Sequence, residues 1–283
     1  MSLLITAIQA DRPPLHLPAW LGKQPPAAGD WDRTLSEDFD GSSIDLHRWN
    51  VHSDNWWDKR NHFSKDEVIV KDGFLTLRTE KKTGFHNDNS TGAKSEFATG
   101  WADSAGKWSQ RYGYFEVRER QPAAPDMWPG FWMMPNQGGT EGNGMEFDVT
   151  ESQSSWGIHR FNIAAHWDGY SDSHKSLGTS SNYVQADAQG FIVVGLLWTP
   201  GSVVFYGNGE EFARWESPRI SSVSSTLIFQ NLIGGWDNAE LNEAQLPADF
   251  VVDYIRVWQR KDLASPGDGP HPNQGGPKAP PRN

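Results

Sequence analysis

The chain predicts an all-β protein, a sandwich or barrel of short antiparallel strands, and three observations carry that prediction. From Trp31 onward it breaks into short runs rich in Val, Ile, Phe, Tyr and Trp, each closed by Gly, Asn, Asp or Pro, the punctuation of strands joined by tight turns. No segment carries the apolar period of a helix, about 3.6 residues, and no segment recurs as a repeat. At 283 residues the chain is long enough to bury one large β core.

In chain order, residues 1–30 are Pro-rich and irregular (DRPPLHLPAW, KQPPAAGD) and read as an extended N-terminal arm laid over the body. The body, residues 31–261, opens its β pattern with DEVIVKDGFLTLRTE. That segment reads as a hairpin, with a turn at Asp72 and Gly73 between runs at 68–70 and 75–79. RYGYFEVRER alternates, which puts Tyr114, Glu116 and Arg118 on one face and Phe115 and Val117 on the other. Strands follow at FWMMP, MEFDVTE, HRFNIAAHW and FIVVGLLWTP. A second hairpin over 202–215 has GNGE at its tip, and TLIFQNLIGG and DFVVDYIRVWQR close the pattern. Residues 262–283 are rich in Pro and Gly and nearly devoid of large apolar side chains, so they are expected to form a disordered tail or linker.

The net charge of −11 argues against nucleic acid or an anionic membrane surface as partner, because both select a basic face. Cysteine is absent, so no disulfide, thiolate ligand or thiol nucleophile is available. No apolar run reaches the ~20 residues of a membrane helix, and the opening MSLLITAIQA lacks the basic start of a signal peptide. A monomer with no membrane insertion is expected.

The stretch GMEFDVTES places Glu146, Asp148 and Glu151 within six residues. A regular strand would face Glu146, Asp148 and Thr150 one way and Glu151 the other. A helix would hold the two Glu about 140° apart. One β-bulge between Asp148 and Glu151 would restore the alternation and turn all three acids to one face. The Glu Cα atoms would then stand about 13 Å apart. Inward-leaning side chains would close most of that gap, toward the ~5–5.5 Å between the carboxyls of a retaining glycosidase. Asp148 between them would tune both pKa values. In isolation, three acids on an exposed strand or a calcium site explain the pattern as well. The neighbours shift the balance. MWPGFWMMP and NQGGTEGNG lead in, and an acidic face beside indole platforms suits sugar rings, with their apolar faces and polar edges.

On these motifs the sequence resembles glycoside hydrolase family 16. EFDVTE is similar to that family's bulged ExDxxE motif, and YGYFEVRER with MWPGFWMMP to its YGyFEaR…WPaFWl block. Phe39-Asp40-Gly41 is similar to its EFdG opening and DYIRVWQ to its DYVRVYq closing strand. The resemblance implies a jelly-roll β-sandwich of two antiparallel sheets, a concave cleft for a polysaccharide, and a secreted or periplasmic location. It also implies roles: Glu146 as nucleophile, Glu151 as general acid/base, and Asp148 as the assisting carboxylate. The reaction would be a double displacement with retained configuration and no catalytic cofactor.

Further sites rest on the same resemblance. Trp128 and Trp132 are expected sugar platforms, Trp132 sharing a face with Gly130. His166 matches a position near the acid/base. Trp236, in NLIGGWDN, resembles a GGxW segment closing one end of the cleft, with Asn231 a hydrogen-bonding neighbour. Arg118 would reach sugar hydroxyls or form a surface pair with Glu116. A structural calcium would use Asp38, Gly73 and Asp253, although Asp38 stands where the family carries the longer Glu.

Where glucan-acting members commonly carry NxExQ, this chain reads NWWDKRNHFSKDEV, closer to the galactan-cleaving branches. Trp56, Trp57 and Arg60 form an aromatic and basic cluster there, and Lys59-Arg60 is the first place to seek sulfate recognition. WPGFWMMP is closer to the glucanases. The expected activity is internal cleavage of a β-1,3- or mixed-linkage glucan or an agar-type galactan. A porphyran- or carrageenan-type sulfated galactan is the alternative. A lectin-like module on the same fold would keep the indoles and lack the Glu pair. A calcium-binding β domain would need neither the cleft nor the Trp-rich strand.

Overall fold

A computed structural model describes residues 15–53, 60–85, 94–236 and 239–270. Among them, two large sheets pack face to face as a jelly roll. The larger, of ten strands, runs through Glu210–Glu216, Ser202–Gly207, Ile192–Thr199, Gly113–Arg120, Ala248–Arg260, Phe74–Glu80, Phe97–Thr99 and Asn61–Phe63. Trp31–Glu37 also pairs with Ala248–Arg260, and Val68–Lys71 with Phe74–Glu80. The smaller, of seven strands, orders Lys175–Tyr183, Arg160–Trp167, Glu146–Glu151, Met127–Pro135, Ser225–Ile233, Trp101–Asp103 and Asn50–Val51. The helical turns among the described residues are single 3₁₀ turns.

Strand alternation decides which side chains meet between the sheets. Phe115 and Val117 of the larger sheet meet Phe131, Met133, Phe147 and Phe229 of the smaller in one buried cluster. Tyr114 and Trp258 turn to the opposite face. Each such Phe contributes about 1.5–3 kcal/mol by burial. Both hairpins form where the turn residues dictate. Asp72 and Gly73 (φ 54° and 79°) join Lys71 to Phe74, and Asn208 and Gly209 (φ 49° and 86°) join Gly207 to Glu210. Two consecutive left-handed residues suit the twist of a two-residue hairpin.

Asn231 belongs to this interior and not, as expected, to the cleft. It shares the inward parity of Leu227 and Phe229, is wholly buried, and donates from Nδ2 to Leu77 O and Ala248 O at 3.0 Å each. It ties one sheet to the other.

Residues 15–30 lie on the outer face of the larger sheet. Trp20 packs edge-on against Tyr114 at 6.2 Å, and the Gly22 N–H donates to Glu116 at 2.6 Å. Glu116 is thereby buried, and it also accepts from the Tyr114 and Tyr254 hydroxyls. The expected pair with Arg118 does not form. Arg118 pairs instead with Asp187 and Asp253 and stacks over Phe191 at 4.1 Å. It stands on the sheet that lacks the acidic trio, so its expected sugar contact is corrected too.

The expected calcium ligands fare similarly. Asp253 is held by Arg118 and Asp38 by Arg256, while the carboxylate beside Gly73 is that of Asp40. Carboxylates already neutralised by separate guanidiniums do not make a cation site. The residues present therefore do not fit a structural calcium at Asp38, Gly73 and Asp253. The tail also departs from expectation up to residue 270. Gly269–Pro270 pairs with Trp108–Ser109, and Asp268 accepts from Arg111 N and Gln259 Nε2 at 2.9 and 2.7 Å. Polar bonding fastens its end, and Leu263 at its start packs against the core. Residues 271–283 lie outside the described part.

Candidate active site

In the strand Glu146–Glu151 the core claims Phe147 and Val149, which turns Glu146 and Asp148 outward. Thr150 turns inward as well, its hydroxyl donating to the buried Glu119 at 2.9 Å. Two consecutive inward residues make a bulge. The register records it: Asp148 pairs with Ala164 and Glu151 with Asn162, three steps on one strand against two on its neighbour. All three acids thereby share one face, as the spacing required.

They line a cavity of about 460 Å³ whose walls include Trp128, Asn162, His166, Tyr170, His174 and Trp236. Glu146 accepts from the Tyr170 hydroxyl. Glu151 accepts from Trp128 Nε1 at 3.0 Å and Asn162 Nδ2 at 3.1 Å. Asp148 Oδ2 lies 3.2 Å from His166 Nε2, close enough to pair but not aligned as a hydrogen bond. His166 Nδ1 in turn lies 2.9 Å from His174 Nε2, with the two rings stacked.

Glu146 is 9 % and Asp148 2 % exposed. Burial pushes the carboxyl pKa of all three upward, Glu146 and Asp148 well above the ordinary range. Mutual repulsion adds to it, from Asp148 on Glu146 and from Glu151 on Asp148. His166 and the Tyr170 hydroxyl pull Glu146 back, and the Trp128 and Asn162 donors pull Glu151 back. Three such acids titrate as a unit, so the cluster keeps protons above the range of free carboxylates. Glu146, Asp148 and His166 also offer atoms within 4.8 Å of one another, the spacing a divalent ion could use.

The remaining expected residues divide. Trp128 and Trp236 stand in the cavity wall, edge-on to each other at 5.4 Å. Trp132 shares the cleft side with Trp128 but is 8 % exposed, bonded to Gln230 at 3.1 Å and set edge-on against Trp101. It stiffens the floor more than it offers a free ring. Arg60 is committed to the buried Asp126 and lies over Phe97 at 5.9 Å. Trp56 and Trp57 lie outside the described residues. Asn162, Tyr170 and His174 were not anticipated. Asn162 was within reach, since it stands four residues before His166 on the same strand face. Tyr170 and His174 sit in the stretch HWDGYSDSH, where no period marks them.

Buried carboxyls sharing one cleft with indoles in its wall are the equipment of an enzyme that hydrolyses glycosidic bonds. The chain belongs to glycoside hydrolase family 16: residues 31–260 match the model described as beta-porphyranase A-D, GH16 domain. It is 25 % identical over 195 residues to endo-1,3-1,4-beta-glycanase EglC of Rhizobium meliloti, covering 69 % of this chain and 40 % of that protein. It is 30 % identical over 190 residues to a keratan-sulfate endo-1,4-beta-galactosidase of Sphingobacterium multivorum, covering 61 % and 42 %. The laminarinase catalytic domain of Thermotoga petrophila superposes with a TM-score of 0.72 at 22 % identity, over 83 % of this chain and 100 % of that one, a likeness of fold. The chain spans 34–40 % of the length of the first curated relatives it matches.

Proposed function

We propose that this chain is a retaining endo-β-galactanase acting on an agar-type backbone, porphyran-like sulfated chains included. The observation that carries the reaction is the bulge, which turns Glu146, Asp148 and Glu151 onto one cavity wall. A galactan backbone is supported by the porphyranase-type family model across 31–260, and cleavage at a β-galactosidic bond by the likeness to a keratan-sulfate endo-1,4-beta-galactosidase.

In this reading Glu146 attacks the anomeric carbon while Glu151 gives its proton to the departing glycosidic oxygen. Water then attacks the glycosyl-enzyme, Glu151 takes the water's proton, and Glu146 is released as carboxylate. The Tyr170 hydroxyl orients the Glu146 carboxylate and eases its charge. Glu151 must be acid in one step and base in the next. The N–H groups of Trp128 and Asn162 hold its anion between the two. Asp148 keeps a proton while Glu146 is ionised, because neighbouring buried acids cannot all carry charge. Trp128 and Trp236 supply faces for the sugar rings.

A β-1,3- or mixed-linkage glucan is the second reading, favoured by the likeness to the endo-1,3-1,4-beta-glycanase. Incubation with agarose, porphyran, carrageenans, laminarin and mixed-linkage glucan, followed by product sizing, separates the two. The expected result is a ladder of oligosaccharides from the agar-type chains. Cleavage of glucans alone would overturn the galactan assignment, and monosaccharide release without a ladder would overturn endo action.

A further inference from the structure

We infer that Arg160 forms an anion subsite beside Glu151 and reads a sulfate ester or carboxylate carried by the bound sugar chain. The inference rests on the galactanase reading above. Arg160, Asn162 and His166 share one face of the strand Arg160–Trp167, since Phe161 and Ile163 between them belong to the core. Asn162 bonds Glu151, so Arg160, two residues earlier, stands about 7 Å further along the strand, within reach of a substituent on a sugar near the cleaved bond.

The side chain is held rigidly in place. Its Nε donates to Ser180 O, a residue of the cavity wall, at 2.7 Å, and its Cζ lies over the Trp156 ring at 4.2 Å. Trp156 meets Trp236 edge-on at 5.8 Å, Trp236 meets Trp128 at 5.4 Å, and Trp128 bonds Glu151. An unbroken aromatic wall thus runs from the acid/base to this guanidinium. Arg160 is also half-buried with no carboxylate partner among the described residues, whereas Arg60 has Asp126 and Arg219 has Asp168.

Acids are not scarce in a chain with 36 Asp and Glu against 25 Lys and Arg. A partly desolvated cation kept clear of them, bonded to the cavity wall at Ser180 beyond the acidic trio, awaits an anion from outside. With Nε engaged, four N–H groups remain on the two terminal nitrogens. Their fork matches the oxygens of a sulfate or carboxylate far better than a neutral hydroxyl. The bland alternative is that Arg160 merely props Trp156, in which case charged and neutral chains would feel its loss equally. This position differs from Lys59-Arg60, where the sequence alone placed sulfate recognition.

The test compares kcat/KM for wild type, Arg160→Met and Arg160→Lys on porphyran, on the same porphyran after desulfation, and on agarose oxidised at C6. Wild type should prefer a charged chain. Arg160→Met should cut the charged-to-neutral ratio by about 10- to 100-fold, the range of hydrogen bonds to a charged group, and Arg160→Lys should fall between. The chain on which the ratio collapses, sulfated or oxidised, identifies the anion. An unchanged ratio, or a wild type indifferent to charge, overturns the inference. If wild type cleaves none of these chains, the galactanase reading fails. Affinity electrophoresis of Glu146→Gln with and without Arg160→Met then reads Arg160 by itself. Selective loss of retardation in the sulfated or oxidised gel supports the subsite. Equal retardation of both proteins, or none for either, overturns it.

Discussion

Beneath the bulge, Glu119 is wholly buried, and its Oε2 finds no hydrogen-bond donor among the described residues. Burial pushes its carboxyl up to about 7, against the pull of the Thr150 hydroxyl and the Gln121 amide. The folded pKa exceeds the unfolded one, so the stability it contributes is fully present below about pH 4.3 and is lost as pH rises through about 7. Glu119→Gln keeps an oxygen for Thr150 and carries no charge. It should therefore flatten the fall of Tm between about pH 5 and 8, a difference of order 3 kcal/mol at the alkaline end. Thermal melts across that window check it, and a slope equal to wild type would count against the buried acid.

At the scale of the strand, the acidic trio was legible because its spacing fits no regular element. Which residues absorb the bulge was not, since Val149 and Thr150 carry no mark of their own. Alternation served well where one face is polar, as in the strand Gly113–Arg120, whose inward Phe115 and Val117 were readable. It failed at Ser225–Ile233, where all nine residues are buried. With no polar face for contrast, Asn231 could be assigned to either side. Arg118 was misplaced for another reason: alternation says that a side chain points outward but not from which sheet. Thr150→Val keeps the shape and deletes the hydroxyl that Glu119 accepts. It should cost about 1–3 kcal/mol in denaturant unfolding. Wild-type stability in that variant would mean that the backbone alone holds the bulge.

The whole molecule divides its work between two sheets. The smaller carries the cleft, and the larger is covered on its outer face by residues 15–30, through Trp20 and the Gly22 bond to Glu116. Trp20→Ala uncovers that face and should lower stability by about 1–3 kcal/mol while leaving kcat near wild type, because the arm lies on the sheet opposite the acids. A kcat that falls in proportion to stability in urea titrations and assays would contradict this separation. The hairpins and closing strand were legible from composition and turn residues. Tyr170, His174 and the aromatic wall to Arg160 were not, because loops and long-range stacking leave no period in a chain. The central claim is that Glu146 and Glu151 act on opposite sides of one glycosidic bond by double displacement. Proton NMR of the first product from a cleaved polysaccharide, recorded before mutarotation, tests it most directly. The account predicts the β anomer; an initial α anomer would contradict it.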